Sequence, residues 1–170
     1  MSTKRTIQMR IADEREKIAL PELFDAVVKL KKDEEVDALL QAYYNADQYH
    51  RSLLQDCVQC LYHPDVIMEL PEGEPPYKSE YIDYNMAPGS LHKTFTRVKY
   101  FVRGHSNFII NKIKREQIYI QQLEAMFKPD ADLFIMIKDK RLTGKYKSLT
   151  EDVFRRALPS VGLPDKADSK

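Results

Sequence analysis

The side chains best suited to chemistry in this sequence are two cysteines and two histidines that lie close together. His50, Cys57, Cys60 and His63 follow the spacing H-x6-C-x2-C-x2-H. Thiolate and imidazole groups are zinc ligands, so the spacing raises the question of a metal site. Structural zinc sites usually take ligand pairs from separate elements. Here one helix would carry all four, spread over about 20 Å at 1.5 Å per residue. We therefore predict two small buried cysteines, with no metal and no cofactor.

Motifs of common catalytic classes are missing from the sequence. It contains no P-loop, no GxSxG and no HExxH, and its five glycines leave little material for a phosphate-binding loop. Asp130 and Asp132 fit the start of a helix, where negative charge is favoured by the helix dipole. We therefore predict a protein that is not an enzyme, with no catalytic residues.

Charge is unevenly distributed along the chain. Residues 1–89 hold 10 Lys/Arg and 17 Asp/Glu, which gives a net charge of −7. Residues 90–147 hold 13 Lys/Arg and 5 Asp/Glu, which gives +8. Such a separation indicates either that the two parts attract each other or that the basic part meets an anion.

Basic and aromatic residues share faces on two predicted helices of the basic part, away from the apolar stripes. The residues on these faces are Lys93, Arg97, Tyr100, Lys112, Arg115 and Tyr119. Such side chains neutralise phosphates and stack on bases, so we assign them to a candidate binding surface. A solvated helix face also carries Lys and Arg, and no named nucleic-acid fold signature is present. Nucleic acid is therefore an alternative partner and not the first choice.

The stretch ELPEGEPPYKSEYIDYNMAPGS, residues 69–90, joins two helical blocks and is called the strap below. Its four prolines exclude a continuous helix. Its three tyrosines are too many for an idle linker, because tyrosine buries a large area while its hydroxyl stays hydrated. We predict that the strap lies across the C-terminal helices with its tyrosines as anchors, and we add Tyr77 and Tyr81 to the candidate binding surface. An exposed acidic loop is the alternative.

The elements that must position these residues are helices. Apolar stripes at helical spacing and capping residues predict about seven of them. They cover residues 21–32, 34–46, 48–62, 91–104, 107–127, 130–140 and 148–158. Asp33, Asp47 and Ser90 are the expected N-caps, and Ser148 with Glu151 forms an expected capping box.

The predicted fold is all-α: a compact bundle of these short helices with the extended Pro/Tyr-rich strap. The run DVIMEL, residues 65–70, leaves a minor β element open. Residues 1–20 are expected to be flexible or extended, 21–163 to form a single helical domain, and 164–170 to fray. No apolar run approaches the length of a membrane span, and the first residues lack the apolar core of a signal peptide. We expect an intracellular protein without a membrane partner.

Three segments resemble a known family: LPEGEPPYK (70–78), KREQIYIQQLEAMFKPDADLFIMIKDKRL (114–142) and YKSLTEDVFRRALP (146–159). From about residue 20 to residue 163 the chain is similar to an uncharacterised protein family of tailed, T4-like bacteriophages. The Pro-Pro-Tyr and Lys-Arg-Glu segments are the most specific parts of the resemblance. It implies a phage protein made inside a bacterial cell, and it supplies no catalytic residues.

These observations lead to a functional prediction. The protein is expected to be a non-enzymatic bacteriophage accessory protein that binds a host or phage protein in the host cytoplasm. One alternative is a nucleic-acid-binding accessory factor of phage replication or transcription that uses the basic helices. A further alternative is a virion or assembly component.

Overall fold

The computed structural model describes residues 6–12, 16–104 and 110–165. Within these ranges the chain forms eight α-helices. They are α1 (Ile7–Ala12), α2 (Leu20–Val27), α3 (Asp33–Tyr44), α4 (Gln48–Tyr62), α5 (Leu91–Thr96), α6 (Lys112–Ala125), α7 (Lys128–Lys138) and α8 (Glu151–Ala157). Short 3-10 turns at Val98–Tyr100 and Leu142–Gly144 follow α5 and α7. The described part has no sheet and holds two isolated bridges, Met68 with Val102 and Tyr81 with Phe127. The prediction of an all-α fold is confirmed, and DVIMEL contributes a single bridge residue.

Several helices begin where a side chain accepts a backbone N–H of the first turn. The Asp47 side chain accepts the His50 N–H at the start of α4, and the Ser90 side chain accepts the Lys93 N–H at the start of α5. Asn111 does the same at the start of α6. These caps satisfy donors that no helical carbonyl can reach, so they determine where each helix starts.

Two predicted caps are wrong. Asp33 is the first residue of α3, and Lys32 occupies the cap position without a side-chain hydrogen bond. α8 is capped by Thr150, whose hydroxyl accepts the Val153 N–H, so Ser148 lies two residues before the cap. Both errors are shifts of one or two residues among neighbouring polar side chains, which local sequence distinguishes poorly.

The helices of the basic part are shorter than predicted. α5 ends at Thr96 and continues as a 3-10 turn, although the pattern predicted a helix over 91–104. α6 starts at Lys112, and residues 107–109 of the predicted helix lie outside the described part. α4, at 15 residues, is longer than α6, at 14, although 107–127 was the longest predicted helix.

The N-terminal segment contains more structure than its sequence predicted. Residues Ile7–Ala12, within the segment expected to be flexible or extended, form a helix. The Arg10 guanidinium contacts the carboxylates of Glu16 and Glu22, which ties α1 to α2. Ile18 is fully buried. The fold of this segment therefore comes from tertiary contacts and not from a strong local pattern.

One hydrophobic core joins the helices, and α7 lies near its centre. α7 packs against α2, α4, α5 and α6, while α3 packs against α4 and α8. The ring of Phe134 on α7 lies 6.0–6.4 Å, centroid to centroid, from those of Phe95, Phe101 and Tyr119. Within the described ranges, no helix combines the length and apolar character that crossing a membrane requires.

Candidate functional site

The four residues with metal-ligand chemistry do not converge. His50 is buried; its Nε2 accepts the Ile18 N–H at 3.0 Å, so its Nδ1 donates to the Asp47 carboxylate at 2.8 Å. The Nδ1 of His63 accepts the Asp65 N–H at 3.1 Å. Both nitrogens of His50 are therefore used in positioning the chain. No cluster of three or more His, Cys, Asp or Glu side chains suited to a metal occurs in the described ranges.

The two thiols are buried in the core on α4. Burial and the nearby Asp56 carboxylate raise the pKa of the Cys60 thiol to about 12. Burial likewise raises the pKa of Cys57 well above its ordinary value. Since the thiolate is the reactive form, both side chains act as small apolar residues at neutral pH.

The first half of the strap is held by a buried lysine at the end of α7. The Nζ of Lys138 donates to the carbonyl oxygens of Pro71 and Gly73 at 2.6 and 3.2 Å, and it pairs with Asp139 at 2.6 Å. The Asp139 carboxylate in turn accepts the Gly73 N–H at 3.1 Å. The Lys138 side chain is only 1% exposed. The strap backbone therefore completes the hydrogen bonding of a buried charge pair, a role that fixes its path.

The neighbouring basic residues hold other segments. The Nζ of Lys140 donates to the carbonyl oxygens of Cys60 and Val66 at 2.9 and 2.8 Å, which satisfies the C-terminal end of α4. The Arg141 guanidinium forms an exposed ion pair with Glu72 of the strap. The residues Lys138–Arg141 thus connect the end of α7 to the end of α4 and to the strap.

Tyr77 and Tyr81 lie at the middle of the strap, on the first turn of α7. The half-buried Tyr77 hydroxyl donates to the Asp132 carboxylate at 3.3 Å and accepts a hydrogen bond from Lys128 Nζ at 3.1 Å. The Lys128 backbone N–H donates to the Tyr81 carbonyl oxygen at 3.0 Å. Tyr77 thus contacts α7 through its side chain, and Tyr81 contacts it through its backbone.

The eight residues of the candidate binding surface are not brought together on one face. Lys93, Arg97 and Lys112 are exposed, and Tyr100 is half-buried. Tyr119 is only 2% exposed and packs in the core, so its assignment to a binding surface is wrong. The Tyr119 ring packs between α6 and α7, 6.0 Å from the ring of Phe134. The helical pattern of the sequence placed Tyr119 on the polar side of α6 and so did not indicate this burial.

Arg115 has a structural role, because its guanidinium is bound to backbone carbonyl oxygens of this protein. Its guanidinium donates to the carbonyl oxygens of Glu69 and Ile110 at 3.0 and 3.2 Å. It therefore holds the start of the strap against α6. Sequence reasoning missed the other strap cations. They are Arg103 with Glu69, Arg141 with Glu72, Lys128 with Glu74, and Lys138. Only the sign of charge could have suggested them.

The far end of the strap is different in character. Residues 82–86, called the strap tip below, expose two large apolar side chains, Ile82 at 88% and Met86 at 72%. The Tyr84 hydroxyl lies 2.6 Å from that of Tyr49, and the Tyr84 ring packs edge-on against Phe127 at 5.7 Å. The tip is thus an anchored turn that projects apolar groups into solvent.

A groove of about 530 Å³ opens beside the strap tip, between the tip, α1 and the start of α2. Its apolar wall comes from Pro21, Phe127, Pro129 and Tyr84. Its charged lining residues are Arg10, Glu16, Lys17, Glu22 and Asp25. Because Arg10 contacts both Glu16 and Glu22, it is neutralised within the protein. Asp25 and Lys17 are exposed, and the three lining carboxylates outnumber the two cations, so the groove is apolar with a slightly acidic border.

A buried carboxyl lies behind the strap tip. Asp130, near the start of α7, is 1% exposed, and its Oδ1 has no hydrogen-bond partner. Burial raises the pKa of Asp130 to about 7, against the opposing effect of the Leu91 backbone N–H. Its charge is felt by the hydroxyls of Tyr49 and Tyr84. The protonation of Asp130 is therefore linked to the residues that anchor the tip.

The strap and its fastening points fall within a stretch shared with other proteins. The profile of a family described as "Family of unknown function (DUF6433)" matches residues 23–144, which run from α2 to the turn after α7. The chain therefore belongs to the family of unknown function DUF6433. No curated protein and no solved structure gives a significant match.

Proposed function

We propose that this protein acts without catalysis, by binding a protein partner at the strap tip and the adjoining groove. The observation that carries the proposal is the pair Ile82 and Met86, which are 88% and 72% exposed on an anchored turn. Large apolar side chains clustered on one turn are typical of protein contact sites, whereas single exposed ones are ordinary.

The anchoring supports this proposal energetically. Tyr81 is bonded through its backbone to Lys128, and Tyr84 is held by Tyr49 and Phe127. These contacts hold the start and the middle of the tip before any partner binds. A pre-ordered contact loses less conformational entropy on binding, so more of the interaction free energy appears as affinity.

The groove defines the chemistry of the partner segment. Its volume of about 530 Å³ accommodates one or two large side chains, and its wall is aromatic and proline-rich. Its lining holds one more carboxylate than cations, and the carboxylate of Asp25 is exposed there. Charge complementarity therefore favours a segment in which an apolar side chain is flanked by lysine or arginine.

The setting we propose is the cytoplasm of a phage-infected bacterium. The resemblance of the strap and of the 114–142 segment to a T4-like phage family supports that origin. The partner is then a host protein or a component of the phage machinery. A virion location is a different outcome, which mass spectrometry of purified particles would reveal.

Site-specific photo-crosslinking tests the contact. A photoreactive amino acid placed at position 82 should crosslink one protein in infected cells. The same group at Ile113, which is 71% exposed on α6, should not crosslink that protein. Equal crosslinking from both positions would contradict a contact centred on the tip.

The partner identified by crosslinking is then purified, and its affinity for the protein and for the variants is measured. The Ile82→Asp, Met86→Asp double variant should weaken binding by about tenfold or more, which corresponds to about 1.4 kcal/mol. Ile113→Asp, the matched change elsewhere, should stay within about twofold. Unchanged affinity of the double variant, with a folded circular dichroism spectrum, would overturn the proposal.

A further inference from the structure

A second surface lies at the opposite end of α6. Between Asn85 and Arg115 the sequence contains no Asp or Glu. Its basic residues in that range are Lys93, Arg97, Lys99, Arg103, Lys112, Lys114 and Arg115. Neighbouring stretches of this protein mix both signs of charge, so the absence of carboxylates here creates a local positive field.

The structure joins the two basic segments through residue 69. The Glu69 N–H donates to the Phe101 carbonyl oxygen at 2.8 Å, and its side chain pairs with Arg103. The Glu69 carbonyl oxygen accepts the Arg115 guanidinium at 3.0 Å. Residues 97–103 and the first turn of α6 therefore lie close together through their shared contacts with residue 69.

Five cations of this surface are open to solvent. Arg97, Lys99 and Lys114 are exposed, while the side chains of Lys112 and Arg103 are 78% and 61% exposed. The ion pairs are weak: Lys112 lies 4.0 Å from Glu116, and the Arg103 pair with Glu69 is at the surface. Water screens such pairs, so a phosphate can replace the carboxylate at little cost. These five cations therefore differ from Lys138 and Lys140, whose ammonium groups donate to backbone carbonyl oxygens.

An aromatic side chain lies among these cations. Tyr100 is half-buried and packs its inner side against the core, and the Nζ of Lys99 lies 5.9 Å from its ring centroid. A partly exposed aromatic ring surrounded by basic groups can stack on an unpaired base while the cations hold the phosphates. A duplex offers no unpaired base for such stacking.

We infer that this surface, formed by Arg97, Lys99, Tyr100, Arg103, Lys112 and Lys114, binds single-stranded nucleic acid independently of sequence. It lies near the N-terminus of α6, whereas the groove at the strap tip adjoins Phe127, beyond its C-terminus. The 14-residue helix separates them by about 20 Å. The inference therefore does not depend on the protein partner proposed above.

Fluorescence anisotropy with the full chain and a labelled 20-nucleotide oligo(dT) tests the inference. Affinity should fall steeply as salt rises, because binding releases counterions from the strand. The Lys112→Glu, Lys114→Glu variant should weaken binding by about tenfold or more and reduce the salt slope by about 1.4, at about 0.7 per phosphate contact. Tyr100→Ala should weaken binding about fivefold or more without changing that slope, because stacking is not ionic.

The matched control is Lys29→Glu with Lys147→Glu, which makes the same charge change at exposed positions on other parts of the protein. It should weaken binding less than about threefold. The inference is overturned if low salt gives no binding, or if this control weakens binding as much as the α6 variant. A labelled duplex of the same length that binds as tightly as oligo(dT) would also overturn it.

Discussion

Residues 69–77 and residues 82–86 belong to the same acidic, tyrosine-containing strap, and the protein uses them in opposite ways. In the first stretch, Lys138 and Arg115 bind the backbone carbonyl oxygens directly. In the second, Ile82 and Met86 point into solvent, and the Asp83 carboxylate accepts the nearby Asn85 N–H at 2.9 Å. The first stretch forms hydrogen bonds that stabilise the fold, whereas the side chains of the second stretch are available to a partner.

The comparison shows that composition alone does not assign a role to a segment. The carboxylates of the first stretch meet Arg103, Arg141 and Lys128, three cations that are far from that stretch in the sequence. The strap tip instead borders a groove lined by residues between Arg10 and Asp25, where the carboxylates outnumber the cations. The charge of the underlying surface, and not that of the strap, decides which half docks by ion pairs.

The largest expected effect comes from removing the buried cation beneath the first stretch. Lys138→Met preserves side-chain length but leaves Asp139 and the carbonyl oxygens of Pro71 and Gly73 without their donor. Breaking a buried pair from one side typically costs about 3–5 kcal/mol. Urea unfolding should show that loss, and hydrogen exchange should accelerate at residues 70–74 more than at the tip.

Lys147→Met, at an exposed position, is the control for the loss of a positive charge. It should change the free energy of unfolding by less than about 0.5 kcal/mol. If Lys138→Met unfolds at the same urea concentration as the original protein, the first stretch is not fastened by this lysine and the contrast with the tip disappears.

The second effect concerns the carboxyl behind the tip and depends on pH. The folded pKa of Asp130 is about 7, above the ordinary value of about 3.9 for the unfolded chain. Between these values the folded state keeps a proton that the unfolded state has lost. Stability should therefore fall as pH rises from about 4 to 7, by up to about 1.4 kcal/mol per unit, and level off above.

Asp130→Asn should flatten this profile, because an amide carries no charge at any of these pH values. Urea midpoints measured at pH 5, 6, 7 and 8 would reveal the difference between the two proteins. Asp65→Asn, a matched change at an exposed site, should leave the original profile in place. A variant of Asp130 with the same pH slope as the original protein would count against a buried carboxyl at this end of the strap.

The third effect tests the tyrosines at the boundary between the two stretches. Tyr77→Ala combined with Tyr81→Ala removes the Tyr77 hydrogen bonds to Asp132 and Lys128, the packing of the Tyr77 ring on the core, and the half-buried ring of Tyr81. Together the changes should lower the free energy of unfolding by more than about 2 kcal/mol. Differential scanning calorimetry would measure this as a clear drop in melting temperature, and an unchanged value would mean that the strap is an undocked loop.

The smallest change in the free energy of unfolding is expected from replacing the exposed carboxylates of the first stretch. These replacements are the control for the changes to its buried groups. Glu72→Gln with Glu74→Gln should cost about 0–1 kcal/mol per ion pair, since both side chains are more than half exposed. Their partners are Arg141 and Lys128, so this change releases Arg141, whereas Lys128 keeps its pair with Asp132 at 2.6 Å.

Much of the fold could be predicted because its causes are local. The caps at Asp47 and Ser90 act on an N–H three residues away, and the apolar stripes repeat every three or four residues. α1 escaped prediction because it is held by Arg10 contacts to Glu16 and Glu22 rather than by a strong stripe. The candidate surface was more difficult to predict than the helices. The sequence pattern placed Tyr119 on the solvent side of α6, yet its ring is buried in the core.

The sequence by itself determined the all-α class, the non-helical course of the strap through its four prolines, and the opposite charges of the two parts of the chain. The tertiary structure decided which groups meet. Lys138 and Pro71, for example, are 67 residues apart in the chain. Charge attraction specifies the sign of a partner and not its identity, because many pairings have the same Coulomb energy in water. Only packing of the core places Lys138 under the strap and leaves Ile82 and Met86 outside it.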